Sequence, residues 1–358
     1  MNTRFTRDYF SLSPKERGST IMKRELWIQG SAQVNRRTFL KATAIAGGAM
    51  IVGLPSVLHA ADKKRISIAT GGMGGVYFVI GGGIAGLLTK YAGVEATAEV
   101  TAASVDNCKL VGAGKSDLAF VMGDTAYDAY KGAGAFAEKP LPLRTMCVLY
   151  PNLTHVVTTE GAGIKKVAEL KGKRVSTGAP GSGTEVMALR VLEAAGIDHA
   201  KDIKKDRLGA SESAGALKDG KIDAYFWVGG VPTASVLDLS ATPGMKIQIL
   251  SHDDLVPAMI SKFGPTYYTS TISKGVYTNV NSDVPVSAVA NLLLAHKDMD
   301  NTQAYQIMKA IFDHLPELVA IHKEAANIKF KEGSGEKGIP YHPGAQKFFK
   351  ENGIDVPA

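Results

Sequence analysis

Residues 65–91 read RISIATGGMGGVYFVIGGGIAGLLTKY. Arg65–Thr70 alternates β-branched and small residues and predicts a strand. Gly71-Gly72-Met73-Gly74-Gly75 predicts a turn, and the apolar run from Val76 to Tyr91 a helix. The same grammar repeats. Glu95–Thr101 is a second strand, Ser104–Ala113 a helix, and Leu118–Gly123 a third strand with a short helix from Asp124. A β-α-β-α-β order calls for right-handed crossovers and a parallel sheet. Strands at 144–150 and 153–159 then follow with almost no connection and break the alternation.

A second α/β series starts at Arg174, with strand RVST, a helix from Thr184, a strand near Ile203–Leu208 and a helix from Ser211. Strand 222–227, a helix after Pro232 and strand 246–250 complete it. Beyond lies a helical tail, expected at Pro285–His296, Thr302–His314, Pro316–Lys323 and Gly344–Asn352. The expected architecture is α/β of the type II-like periplasmic binding protein kind, with two α/β lobes, a hinge and a helical C-terminal tail. Lobe I takes 61–148 plus 250–358 and lobe II takes 149–249, with crossings near 147–152 and 248–252.

The formal net charge of +7 is concentrated at one end. Residues 1–60 hold nine of the 41 basic side chains and three of the 34 acidic ones, so the remaining 298 residues are almost neutral. A neutral body offers little steering toward phosphate backbones, which argues against nucleic-acid binding. The basic end carries Asn35-Arg36-Arg37-Thr38-Phe39-Leu40-Lys41, then an Ala- and Gly-rich run broken by Pro55, then Ala60-Ala61. This resembles a twin-arginine export signal cleaved near Ala60, which implies a periplasmic protein. Cys108 and Cys147 are 39 residues apart with no C-x-x-C, so they read as buried thiols rather than as a redox or zinc motif.

Two glycine loops carry the candidate site. Gly71–Gly75 lies between strand and helix, where missing side chains let a ligand approach the unpaired N–H groups of a helix start. Gly178-Ala179-Pro180-Gly181-Ser182-Gly183-Thr184-Glu185 has P-loop spacing. Thr184-Glu185 replaces the Lys-Ser/Thr that holds phosphates, which leaves an anion nest suited to a carboxylate. Gly81, Gly83 and Gly86 spell a dinucleotide fingerprint, yet they lie inside the helical pattern and read as packing glycines. The histidines form no zinc-binding spacing, no G-x-S-x-G elbow occurs, and Asp253-Asp254 reads as a solvated cap. No catalytic set and no cofactor is expected. Tyr77 and Trp227 sit at strand or helix ends facing the expected cleft.

Several segments in order resemble the TAXI family, the TRAP-associated extracytoplasmic solute receptors. They are IATGGMGGVYFVIGG, TAASVDN, KSDLAFVMGDTAYDAY, GKRVSTGAPGSGTE, LKDGKIDAYFWVGGVP, SKGVYTNV and IPYHPGAQKFFKENG, covering almost all of 65–355. The resemblance implies a monomeric, non-catalytic receptor that captures a glutamate- or 2-oxoacid-like anion and delivers it to a TRAP membrane permease. Carried over by position, Gly74, Gly75 and Tyr77 form one wall, with Ser104, Asn107 and Asp124 beside it. Ser182, Gly183 and Thr184 bind carboxylate from the other lobe, near Trp227 and Gly229. Met73 and Met122 stand where the family commonly has polar residues, so one end of the ligand is expected to be less polar than glutamate's second carboxylate. An exported enzyme and a periplasmic ligand sensor share the same fold; metal content or an absorption spectrum separates the first, and a neighbouring permease gene the second.

Overall fold

A computed structural model of the chain describes residues 63–333 and 338–358. The export-signal reading lies outside the described residues. The strands are β1 Arg65–Ala69, β2 Glu95–Glu99, β3 Leu118–Met122, β4 Leu143–Thr159, β5 Arg174–Ser176, β6 Lys204–Asp206, β7 Ala224–Gly229, β8 Ile247–Ile249, β9 Tyr267–Ile272 and β10 Val284–His296. The helices are α1 Val76–Tyr91, α2 Ser104–Gly112, α3 Gly123–Lys131, α4 Gly183–Ala194, α5 Ala210–Lys218 and α6 Ala234–Ala241. They continue with α7 Val256–Phe263, α8 Asn301–Asp313, α9 Leu315–Ile321, α10 Phe330–Gly333 and α11 Pro343–Glu351.

The strands join in the order β2-β1-β3-β10-β4-β7-β5-β6, with β8 on β4 and β9 on β10. β1 is parallel to β2 and β3, and β5 is parallel to β6 and β7. Between these parallel ends run β4 and β10, antiparallel to each other and to their other neighbours. Each end is sandwiched by helices because its inner strands, such as β3 and β7, are apolar on both faces, whereas the edge strands β2 and β6 are polar and largely exposed. In β3, Leu118 and Phe120 pack toward α1, α8 and α11, while Ala119 and Val121 pack toward α2 and α3. In β7, Phe226 and Val228 face α4 and α7, while Tyr225 faces α5 and α6.

Two expectations are corrected. Residues 144–159 form one strand, although Pro151 gives no N–H to the ladder and pairs with Ala290 beside a register shift. Residues 285–296, expected to be helical, form β10. Their Ala and Leu content favours a helix locally, but a strand buried between two others and under helices on both faces reads as a continuous apolar run.

β10 also moves the lobe boundary. Leu250, Val256, Met259 and Tyr267 pack with Val175 and Met187, and Ile272, Tyr277 and Val286 pack with Tyr225 and Val236. Residues 250–289 therefore belong with the second α/β unit, and the chain recrosses within β10 rather than near 248–252. The expected tail does contain helices, but only α8 to α11, which pack under the first unit.

Candidate functional site

The carboxyl ends of β1, β2, β3, β5, β6 and β7 lead into loops that meet across the two lobes and enclose a cavity of about 350 Å³. Gly71–Tyr77 and Thr101–Ser104 with Met122 line it from one lobe. Gly178, Ala179, Ser182–Thr184, Leu208–Glu212 and Phe226–Gly229 line it from the other. That size suits a small molecule. Among the predicted residues, Met73, Gly74, Gly75, Tyr77, Ser104, Met122, Ser182, Gly183, Thr184, Trp227 and Gly229 come together here.

The loops close because they lack side chains. A Cβ on Gly74 would lie 2.1 Å from Ser211 Oγ, and one on Gly75 would lie 2.8 Å from the Trp227 ring. One on Gly183 would lie 2.6 Å from both Ser104 Oγ and Met122 Sδ. Gly178 and Gly181 adopt φ +101° and +80°, left-handed conformations that a side chain resists. The Gly181 carbonyl also reaches the neighbouring lobe, accepting from the N–H groups of Val105 at 3.1 Å and Asp106 at 3.2 Å. That contact satisfies the start of α2. Ala103, which precedes α2, is held at φ +85°, an unfavourable conformation for a non-glycine residue directly on the cavity wall.

Three other helix starts remain open. Val76 and Tyr77 in α1, Gly183 and Thr184 in α4, and Ala210 and Ser211 in α5 direct their backbone N–H groups to no acceptor among the described residues. Such groups at a helix N-terminus favour negative charge. The Ser182 hydroxyl is occupied, donating to Ala179 O at 2.6 Å and accepting from Glu185 N–H at 3.0 Å. Glu185 does not reach the cavity; its carboxylate pairs with Arg207 at 2.5 Å. Trp227 spends its Nε1–H on Thr233 Oγ1 at 2.8 Å and so presents an apolar ring. Tyr77 accepts from Asn152 Nδ2 at 3.0 Å, and burial pushes its phenol well above the usual range, so it stays neutral.

Asn107 and Asp124 do not line the cavity. Asn107 is fully buried behind it, where Nδ2 donates to Ala69 O, Thr70 O and Phe120 O at 3.3, 2.7 and 2.8 Å. It ties the ends of β1 and β3 together, a structural task for which an amide with two donors is suited. Asp124 accepts from Arg190 Nη1 and Tyr267 OH, each at 3.1 Å, and Arg190 also pairs with Asp128. These links join α3 of one lobe to α4 and β9 of the other. Sequence reasoning missed Arg190 because a lone helix arginine has no signature. It also missed Leu208–Glu212, although a glycine between a strand and a helix is the same signal as at 71–75.

Gly81 packs on Thr70 and Phe120, and Gly83 on Leu318 and Ile321, so these two helix glycines serve packing, whereas a Cβ on Gly86 would meet nothing within 4 Å and the packing expectation fails there. Cys108 and Cys147 are free and buried, and burial pushes both thiols up. Among the described residues, no group of three or more His, Cys, Asp or Glu is placed to hold a metal ion. No helix among them is long and apolar enough to cross a membrane.

The NMT1-like family model matches residues 68–353, which include every loop of the cavity. The chain belongs to the NMT1-like family. Among solved structures, one described as a periplasmic transporter is 16% identical, with TM-score 0.51 over 82% of this chain and 93% of its own. The periplasmic aliphatic sulphonate binding protein of Escherichia coli is also 16% identical, with TM-score 0.42 over 74% of this chain and 80% of its own. An alkanesulfonate-binding protein of Xanthomonas axonopodis pv. citri is 15% identical, with TM-score 0.43 over 75% of this chain and 86% of its own. The fold of this NMT1-like protein is the type II-like periplasmic binding protein fold.

Proposed function

We propose that this chain is a periplasmic, non-catalytic receptor, exported and cleaved near Ala60, that captures a small carboxylate and delivers it to a TRAP-type membrane permease. One observation carries the reading: unpaired N–H groups from α1 on one lobe and from α4 and α5 on the other converge on one cavity. A carboxylate bridging them holds the lobes together, so ligand binding and closure are one event. Micromolar affinity requires about 8 kcal/mol. Three or four charge-assisted hydrogen bonds at roughly 1.5–3 kcal/mol each, with Trp227 as an apolar wall, supply that without a basic side chain. The in-order TAXI-like segments support the TRAP partner, and the export signal supports the compartment.

Thermal shift with a panel of organic acids, amino acids, sugars and polyamines tests the anion. A ligand that binds only the native state raises the melting temperature, by about 2.7 kcal/mol of stabilisation at a hundredfold excess over Kd. Organic acids are expected to give the shifts. Stabilisation by sugars or polyamines alone would refute the reading.

A further inference from the structure

Resting on that anion reading, we infer that the cavity selects a monocarboxylate with an apolar tail over a dicarboxylate of the same length. The charge inventory of the wall carries the argument. Among the described residues that line the cavity only Glu212 is charged, and none is a lysine, arginine or histidine. Arg207 is committed to Glu185, and Arg190 to Asp124 and Asp128. Positive potential comes from helix starts alone, each equivalent to roughly half a charge. The start of α2 is already capped by Gly181 O. Glu212 sits in the first turn of α5 and offsets part of that helix's positive end, so the three starts compensate one carboxylate and leave little for a second.

The rest of the wall matches a tail rather than a second anion. Met122, Phe226 and the Trp227 ring form it, with the Trp227 N–H turned away to Thr233. Met122 is buried and abuts Ser104 and Gly183. A second carboxylate placed there would lose most of its water and find beside Met122 only the Ser104 hydroxyl in its place, a large penalty for a charged group. Methylene or branched alkyl groups gain from the same burial.

The test is titration calorimetry at neutral pH on the exported form of the chain. The probes are hexanoate, adipate and methyl hexanoate, together with 4-methyl-2-oxopentanoate and 2-oxoglutarate. Each monocarboxylate is expected to bind at least tenfold tighter than its dicarboxylate counterpart, with no binding by the ester. Dicarboxylates binding as tightly as monocarboxylates, or more tightly, would overturn this inference while leaving the anion reading intact. An ester binding as well as its acid would overturn both. If none of the monocarboxylates binds at millimolar concentration, the tail assignment is also wrong. In the variant Met122→Gln, checked for folding by circular dichroism, the mono-to-dicarboxylate preference should shrink at least threefold; an unchanged ratio would exclude Met122 as the selecting wall.

Discussion

Gly183→Ala separates closure from folding. Gly183 opens α4 and does not adopt a left-handed φ, so alanine strains no backbone there, and helix propensity favours it over glycine by up to about 1 kcal/mol. Within its own lobe the change is therefore neutral or mildly stabilising. Across the cleft it is not. The new methyl would lie 2.6 Å from Met122 Sδ, which can swing aside, but also 2.6 Å from Ser104 Oγ and 2.9 Å from Ser104 Cβ, which are held on the first residue of α2. Ordinary contact requires these atoms to retreat by nearly 1 Å. Overpacking of this kind costs typically 1–3 kcal/mol, which falls on the closed form alone and weakens ligand affinity by roughly 5- to 150-fold. Calorimetry with the tightest acid of the panel reads the affinity, and small-angle scattering with and without that acid reads closure. The unliganded melting temperature should not fall. A variant that binds as tightly as the parent and contracts equally on binding would show that the lobes do not meet at Gly183 when ligand is held.

Asn107→Ala removes the donor to three buried carbonyls and should destabilise the fold by about 3 kcal/mol. Urea denaturation checks this, and a loss under 1 kcal/mol would contradict the structural role given to Asn107. Stability should also fall in acid. Burial pushes the His155 imidazole down to about 4, so its contribution is present above the unfolded value near 6.5 and is lost as pH falls toward 4, amounting to about 3 kcal/mol. Melting temperatures between pH 7.5 and 4.5 read that decline. Glu324 works in the opposite direction: burial pushes its carboxyl up to about 6, so its contribution is present below the unfolded value near 4.5 and is lost as pH rises through 6. Glu324→Gln, which keeps an acceptor for Val231 N–H, should match the parent at pH 4.5 and exceed it by up to about 2 kcal/mol at pH 7.5. Equal stability at both pH values would refute the assignment.

The local grammar of this chain is carried by residues adjacent in sequence. Strand, turn and helix follow from patterns at 65–91, 95–113 and 174–194, with a glycine turn in the first and third, since side-chain period and backbone freedom are properties of short segments. The glycine loops and their helix starts were legible for the same reason, and with them most of the cavity wall. Tertiary structure alone decided what depends on partners distant in sequence. Residues 284–296 are a strand because β3 and β4 accept their backbone bonds, whereas their own propensity is helical. The lobe boundary moved with that strand. Asn107 and Asp124 belong to the scaffold because carbonyls 13 to 38 residues away and an arginine 66 residues away claim their polar atoms. A side chain's donors and charges are fixed by its type; whether they are left over for a ligand is fixed by which neighbours the fold brings within hydrogen-bonding distance.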